Sequence, residues 1–341
     1  MTLLADYTTL GLGGPAQTFV AATSEAELVS AVRSADAAGV PVLVLGGGSN
    51  LVIADSGFPG TVVHVASRGL RFSAAGAVPP SGATSAQLVD VTVAAGEDWD
   101  AVVAATVAEG LAGLECLSGI PGRAGATPVQ NVGAYGQEVA EVITSVRLFD
   151  RATSSLLTLH NEHCHFSYRN SLLKASDGRY VVTEVTFRLH AEPLSRPVKY
   201  AELAGELGVG MGERASVSEV RAAVLKIRAR KGMVLDSGDP DTRSAGSFFT
   251  NPVLDSDQFA RVEEAAARLA GSAGGTAAGG ASVPRFDAGD GLVKVPAAWL
   301  IEHAGFAKGY GAPGPARGSA KHTLALVNAG DATTADLLAL A

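Results

Sequence analysis

Residues 117–136 read LSGIPGRAGATPVQNVGAYG, a composition suited to holding an anion with backbone rather than with side-chain charge. Gly119, Gly122, Gly125, Gly133 and Gly136 have no Cβ, so the chain there can turn tightly and come close to a ligand. Backbone N–H groups freed by such turns form concave anion-binding nests. Gln130 and Asn131 add amide donors and acceptors to an otherwise apolar run. A long surface loop is the alternative, but it would carry more charge than the single Arg123, so a buried wall around a phosphate-bearing ligand is favoured. A second run, VLVLGGGSNLV, places Gly46, Gly47 and Gly48 directly after an expected strand, with Ser49 and Asn50 as side-chain partners for phosphate oxygens. It is not a Walker loop, because no Gly-Lys-Ser/Thr follows, and no helix opens where a dinucleotide fingerprint needs one. Taken alone, it is equally an ordinary strand-to-loop turn. Two such loops together fit an extended dinucleotide better than either does alone.

His160, His163, Cys164 and His165 crowd into six residues, but a zinc site needs a second ligand group and the chain has no other Cys/His cluster. No metal is expected. The residues that follow, FSYRNS, read as a loop presenting Tyr168 and Arg169. Arg169 offers a planar fork to a carboxylate or phosphate, or else ends a strand in solvent. In RSAGSFFTNP, Ser247 stands beside two phenylalanines, where a partly desolvated hydroxyl is either a proton donor or a packed core serine. No histidine is near it in sequence and no Gly-x-Ser-x-Gly elbow is present, so a hydrolase triad is unsupported. Arg228, Arg230 and Lys231 close a helix, where the dipole favours cations that can reach a phosphate.

These residues need a scaffold of mixed elements. Helical spacing covers 25–38, with Leu28, Val29 and Val32 on one face, and β-rich runs cover 40–45 and 61–65. A strand over 88–95 precedes a helix over 99–109 capped by Asp98, and strands are expected at 142–150 and 180–190. Pro193 and Pro197 mark a boundary. Beyond it come helices over 218–230 and 257–269, a flexible small-residue loop over 271–282, and a helix over 296–303 opened by proline. A strand over 323–327 follows, then a helix from Thr334 that reaches Ala341 with no stop signal, as if the natural chain continued.

A chain of 341 residues holds two or three domains, and 47% hydrophobic against 18% charged residues is globular. A net charge of -8 argues against a nucleic-acid or anionic-membrane surface. Cys116 and Cys164 make no disulfide framework, and there is neither a signal peptide nor an apolar run long enough for a membrane span, so a cytoplasmic protein is expected.

In order, TTLGLGGPA, VLVLGGGSNLV, SGIPGRAGATPVQNVGAYG, YRNS, RARK, SAGSFFTNP and AAWLIEHAG resemble the UDP-N-acetylenolpyruvoylglucosamine reductases over nearly the whole chain. The resemblance implies an α+β fold: an FAD-binding domain of the vanillyl-alcohol-oxidase (PCMH) type in two subdomains, 1–70 and 71–192, and a smaller α+β substrate-binding domain, 193–312. The segment 313–341 would pack back on the first subdomain. The implied flavin contacts are Gly46, Gly47, Gly48, Ser49, Asn50, Gly119, Ile120, Pro121, Gly122, Gly125, Ala126, Thr127, Gln130, Asn131, Gly133, Ala134, Tyr135, Val182 and Arg228. Tyr168, Lys231 and Asn251 match positions that hold the UDP-sugar, and His303 stands where related sequences often have glutamine.

The implied activity is NADPH-dependent reduction of UDP-N-acetylglucosamine enolpyruvate to UDP-N-acetylmuramate, a peptidoglycan precursor, by a monomer. Hydride reaches the vinyl carbon through FAD; Arg169 matches the cation that stabilises the enolate-like carboxylate, and Ser247 the group that protonates the neighbouring carbon. The family also uses a glutamate in a C-terminal LxPEV-like segment, which this sequence does not reach, and Glu302 lies outside that motif. A catalytically impaired flavin or UDP-sugar binding protein is therefore the alternative. An oxygen-using flavin oxidase on the same fold is disfavoured by SAGSFFTNP and the helix before Lys231.

Overall fold

The N-terminal part is built as β1 (Ala16–Ala22), α1 (Glu25–Ala37), β2 (Val42–Leu45) and β3 (Phe58–Val65), a parallel sheet in the order β1-β3-β2. The structure, a computed structural model, describes residues 1–75, 87–272 and 282–341. Ser24 starts α1 locally: its side chain accepts the Glu27 N–H at 3.2 Å, and Leu28, Val29 and Val32 then form the buried face.

β4 (Leu70–Ala74) and β5 (Leu88–Ala94) lead into α2 (Trp99–Ala108), whose N-cap Asp98 accepts the Ala101 N–H at 3.1 Å. There follow β6 (Leu111–Ala112), a small hairpin of β7 (Gly133–Ala134) and β8 (Gln137–Glu138), then β9 (Ile143–Asp150), β10 (Ser155–His160), α3 (Leu172–Ala175) and β11 (Tyr180–Ala191). These strands form an antiparallel sheet in the order β10-β9-β11-β5-β4, with β6 on the end of β11. Along β11, Val185, Phe187 and Leu189 are buried while Glu184, Thr186 and Arg188 are only partly so, the alternation of a sheet with one face on the core. One core cluster joins that face to α1, α2 and β3.

The boundary expected near Pro193 is not where the chain divides. The compact units are Met1–Leu235 and Asp236–Ala341. α4 (Ala201–Leu207) and α5 (Val217–Arg230) belong to the first because their core closes over Cys116, and because Arg221 of α5 forks onto Asp100 of α2 at 2.6 and 2.9 Å. α5 is opened by a capping box of Ser216 and Glu219, and its last turn carries Arg228 and Arg230.

The second unit contains β12 (Val253–Leu254), α6 (Ser256–Ser272), β13 (Phe286–Asp287), β14 (Val293–Lys294), α7 (Ala297–His303), β15 (Ala316–Gly318), β16 (Leu326–Asn328) and α8 (Thr334–Leu340). β12-β14-β13 form a small antiparallel sheet backed by Phe259, and β15 pairs with β16. The segment 313–341 thus folds within this second unit, where the Arg317 guanidinium lies 2.9 Å from the buried Asp241 carboxylate. The strand expected over 323–327 is shifted to β16, because Thr323 and Leu324 form a turn; Pro296 is the N-cap of α7 rather than its first helical residue. Most of the expected 271–282 loop lies outside the described residues, and Gly271 and Ser272 end α6. Among the described residues, no helix is long and apolar enough to cross a membrane.

Candidate active site

The two glycine runs meet. A Cβ placed on Gly47 would lie 2.7 Å from Gly122 Cα, and one on Gly122 would lie 2.9 Å from Ser49 Oγ. Ordinary carbon contacts are about 3.5–4.0 Å, so only glycine lets these backbones approach so closely. Farther along, Asn50 Nδ2 donates to Gln130 Oε1 at 3.1 Å. The 119–127 loop is held from behind by α2 and its cap region: Trp99 N–H to Gly122 O at 3.1 Å, Ala124 N–H to Glu97 O at 2.9 Å and Gly125 N–H to Ala95 O at 2.9 Å. A Cβ on Gly125 would lie 2.5 Å from Ala95 Cβ. Thr127 turns its hydroxyl to Ala124 O, and Ala126 and Pro121 shape the same turn region, next to half-buried Ile120.

Asp100 was not picked out in the sequence, yet it organises this wall. Its carboxylate accepts the Gly119 N–H at 2.6 Å as well as the Arg221 fork. Burial pushes the Asp100 carboxyl upward, but the bonds from Arg221 and Gly119 outweigh it and hold it below the usual carboxylate value. Arg228 is 5% exposed; Nη2 donates to Met233 O at 2.9 Å, while the buried Nε has no partner among the described residues. That Nε lies 3.5 Å from where a Gly119 Cβ would be. Burial draws the Arg228 pKa below the ordinary arginine value, and burial likewise pushes the nearby Tyr135 phenol up to about 12. A buried guanidinium with an unpartnered N–H beside a glycine wall fits the charge of a dinucleotide pyrophosphate.

Arg169 joins the same region from the 167–170 turn, where Ser167 and Asn170 exchange backbone hydrogen bonds of 3.0 and 3.1 Å. Nη1 donates to Asn131 O at 3.1 Å and Nη2 donates to Gly133 O. Its guanidinium also lies 5.5 Å from the Tyr168 ring centroid. Asn131, Tyr135 and Arg169 all have positive φ (46°, 50° and 54°), a costly backbone state for non-glycine residues that clusters at working sites. Asn131 is fixed further by its side chain, which donates to Glu138 and to Ser167 O and accepts from Ala140 N–H. Ala134 pairs with Gln137 in the β7–β8 hairpin. Val182 lies in β11 opposite Leu148, its side chain in the core, at a register irregularity. Lys231 donates to Glu202 Oε2 at 2.5 Å, a partner the sequence did not indicate.

In the second unit, Ser247 is exposed rather than desolvated, although Phe248 and Phe249 pack edge to face beside it. Its Oγ lies 3.2 Å from His322 Nε2, a residue 75 positions away and so invisible to a search for neighbours in sequence. Asn251 Oδ1 accepts the Ala297 N–H at 2.9 Å and so caps α7. At the other end of α7, His303 stacks on Trp299 with centroids 3.8 Å apart.

The histidine-rich stretch does not assemble a ligand set. Cys164 is buried with its Sγ toward His160 O, and burial pushes its thiol up to about 11. Among the described residues there is no group of three His, Cys, Asp or Glu side chains that could hold a metal ion.

Comparison with known proteins assigns this architecture. Residues 16–160 match the FAD binding domain family, and residues 239–341 match the C-terminal domain of UDP-N-acetylenolpyruvoylglucosamine reductase. The reductase of that name from Thermobifida fusca is 54% identical over 338 residues, covering 99% of this chain and 90% of the relative. The chain belongs to the UDP-N-acetylenolpyruvoylglucosamine reductase family. The Saccharopolyspora erythraea reductase is 55% identical over 339 residues, covering 99% of this chain and 88% of the relative. A solved reductase from Thermus caldophilus superposes with a TM-score of 0.60 at 26% identity, covering 99% of this chain and 91% of that one. The α+β fold and the FAD-binding domain are therefore those of a flavin-dependent oxidoreductase, in a family that serves peptidoglycan synthesis.

Proposed function

We propose that this reductase uses NADPH to reduce the enolpyruvyl ether of UDP-N-acetylglucosamine enolpyruvate to UDP-N-acetylmuramate. The observation that carries the flavin part is the close approach of Gly47 to Gly122 beside the buried, incompletely bonded Arg228. Gly46–Asn50 and Gly119–Tyr135 would hold FAD, with Arg228 against its negative charge and Val182 behind it. When bound, FAD takes up hydride from the nicotinamide and supplies it to the substrate.

The chain's own residues do the rest. Arg169 has five N–H donors and spends two on Asn131 and Gly133, so it is oriented while keeping capacity for an anion. A guanidinium fixed in this way can stabilise the charge that develops on the substrate carboxylate without reorganising during the reaction. Ser247 then gives its hydroxyl proton to the adjacent carbon, and its exposure allows water to restore that proton. Tyr168, Lys231, Asn251 and His303 would bind the UDP-sugar; Lys231 would exchange its ion pair with Glu202 for the substrate's phosphate charge.

The test is to purify the flavin-loaded protein and follow NADPH oxidation with and without UDP-N-acetylglucosamine enolpyruvate. Substrate-dependent oxidation is expected. A yellow protein with none would favour a flavin-binding protein impaired in catalysis. Ser247→Ala should still have its flavin reduced by NADPH, but should lose about 10²–10⁴-fold in the turnover of substrate, the usual contribution of a general acid. Turnover equal to the parent would remove Ser247 from the proton-donor role.

A further inference from the structure

We infer that His322 is a positioning residue for Ser247: its Nε2–H donates to the serine Oγ, turns the hydroxyl proton outward to the substrate, and stabilises the charge left on oxygen. This rests on the reading of Ser247 as the proton donor. The starting observation is the 3.2 Å separation of Ser247 Oγ and His322 Nε2.

Both residues are held by their own surroundings within the second unit. Ser319, 1% exposed, accepts the backbone N–H groups of Lys321 and His322 on its Oγ at 3.0 and 3.1 Å. Asp241 takes the Ala320 N–H at 3.1 Å, Lys321 Nζ reaches Asp239 at 2.5 Å, and Ala325 N–H closes the turn on His322 O at 3.0 Å. The serine loop is tied to that turn by Phe248 N–H on Leu324 O at 2.7 Å, one residue beyond Ser247. Imidazole and hydroxyl are therefore brought together by a backbone bond and a stapled turn, not by a chance meeting of two long side chains.

The direction of the hydrogen bond decides its effect. If Nε2 accepted, the serine proton would be turned to the ring and withheld from substrate. With Nε2 donating, the bond fills an Oγ lone pair and leaves the O–H free to point elsewhere. In the proton transfer, the O–H bond breaks and a C–H bond forms with the electron pair of the substrate carbanion. The O–H pair stays on Oγ, where the His322 N–H strengthens as charge appears, and water later returns a proton to the serine.

The test uses the flavin-loaded protein and rapid mixing, so that flavin reduction by NADPH and its reoxidation by UDP-N-acetylglucosamine enolpyruvate are timed separately. His322→Phe, which keeps a ring but no donor, should slow reoxidation by roughly ten- to a hundredfold, the worth of one charge-assisted hydrogen bond. Flavin reduction and the substrate KM should change little. His322→Gln, which restores an N–H donor, should recover much of the rate, and His322→Phe should add no further loss in a Ser247→Ala background.

Reoxidation at the parent rate in His322→Phe, with Ser247→Ala impaired, would overturn the inference alone. Equal losses in His322→Phe and His322→Gln, or a loss spread over both half-reactions, would overturn it in favour of a packing role. Ser247→Ala reacting at the parent rate would instead remove the proton-donor reading, and this inference with it.

Discussion

Adjacent glycines in the first glycine-rich loop should respond oppositely to the same small change. An alanine methyl at 47 would sit 2.7 Å from Gly122 Cα and 3.1 Å from its carbonyl carbon, whereas at 46 its nearest neighbours are Arg123 Cβ and Cγ at 3.6 Å. The first distance is short of ordinary contact by about 1 Å and the second is within it. Both obstructing atoms at 47 are backbone, so no rotamer change relieves the clash, and overpacking of this kind costs about 1–3 kcal/mol. Neither glycine has a positive φ, so alanine suffers no torsional penalty at either place. It stiffens the unfolded chain at both, which contributes about 0.4–1 kcal/mol of stability. Gly46→Ala should therefore leave the apoprotein unchanged or slightly more stable, while Gly47→Ala, which shares that gain, should fall about 1–3 kcal/mol below Gly46→Ala. The assay is denaturant unfolding of the apoproteins, followed by FAD titration through quenching of flavin fluorescence. If the loops relieve the clash by separating, part of the cost passes to FAD binding, where about 1.4 kcal/mol is a tenfold weaker Kd. Two variants with the same apoprotein stability and the same FAD affinity would refute the close approach of the two loops.

Arg228→Met should leave the apoprotein nearly as stable as the parent, because a buried, incompletely bonded charge is itself costly, but should weaken FAD binding by about ten- to a hundredfold; equal FAD affinity would separate Arg228 from the cofactor. The Arg179 fork on Asp150, at 2.8 and 2.6 Å, holds that carboxyl well below the usual carboxylate range despite burial. Its folded pKa is below its unfolded one, so the stabilisation is complete above the unfolded value of about 3.9 and is lost as pH falls through the folded value. Asp150→Asn should lower the melting temperature by several degrees at neutral pH and make stability fall less steeply in acid, by about one proton below pH 4; unfolding curves with unchanged acid dependence would contradict the assignment.

Much of the site was legible in the chain because its signals are local. Helical spacing announced α1, the cap Asp98 announced α2, and strands were expected at 142–150 and 180–190, where β9 and β11 form. The glycine runs marked backbone able to approach closely, as Gly47 and Gly122 do, and seven short motifs in order carried the family. β4 escaped notice because its pattern is mostly exposed, with no apolar alternation to register. The helices after Pro193 were assigned to the wrong unit for a related reason. A proline marks a change of direction, but which core receives the next helices depends on Cys116 and on the Asp100–Arg221 pair, 121 positions apart. Torsional preference, capping and periodicity act over a few residues, so the order of letters is enough to read them. The approach of Gly47 to Gly122, the placing beside Gly119 of an Arg228 Nε that has no partner among the described residues, and the seating of Ser247 on His322 are contacts between distant segments. They exist only once the hydrophobic cores have closed and set which backbones lie against each other.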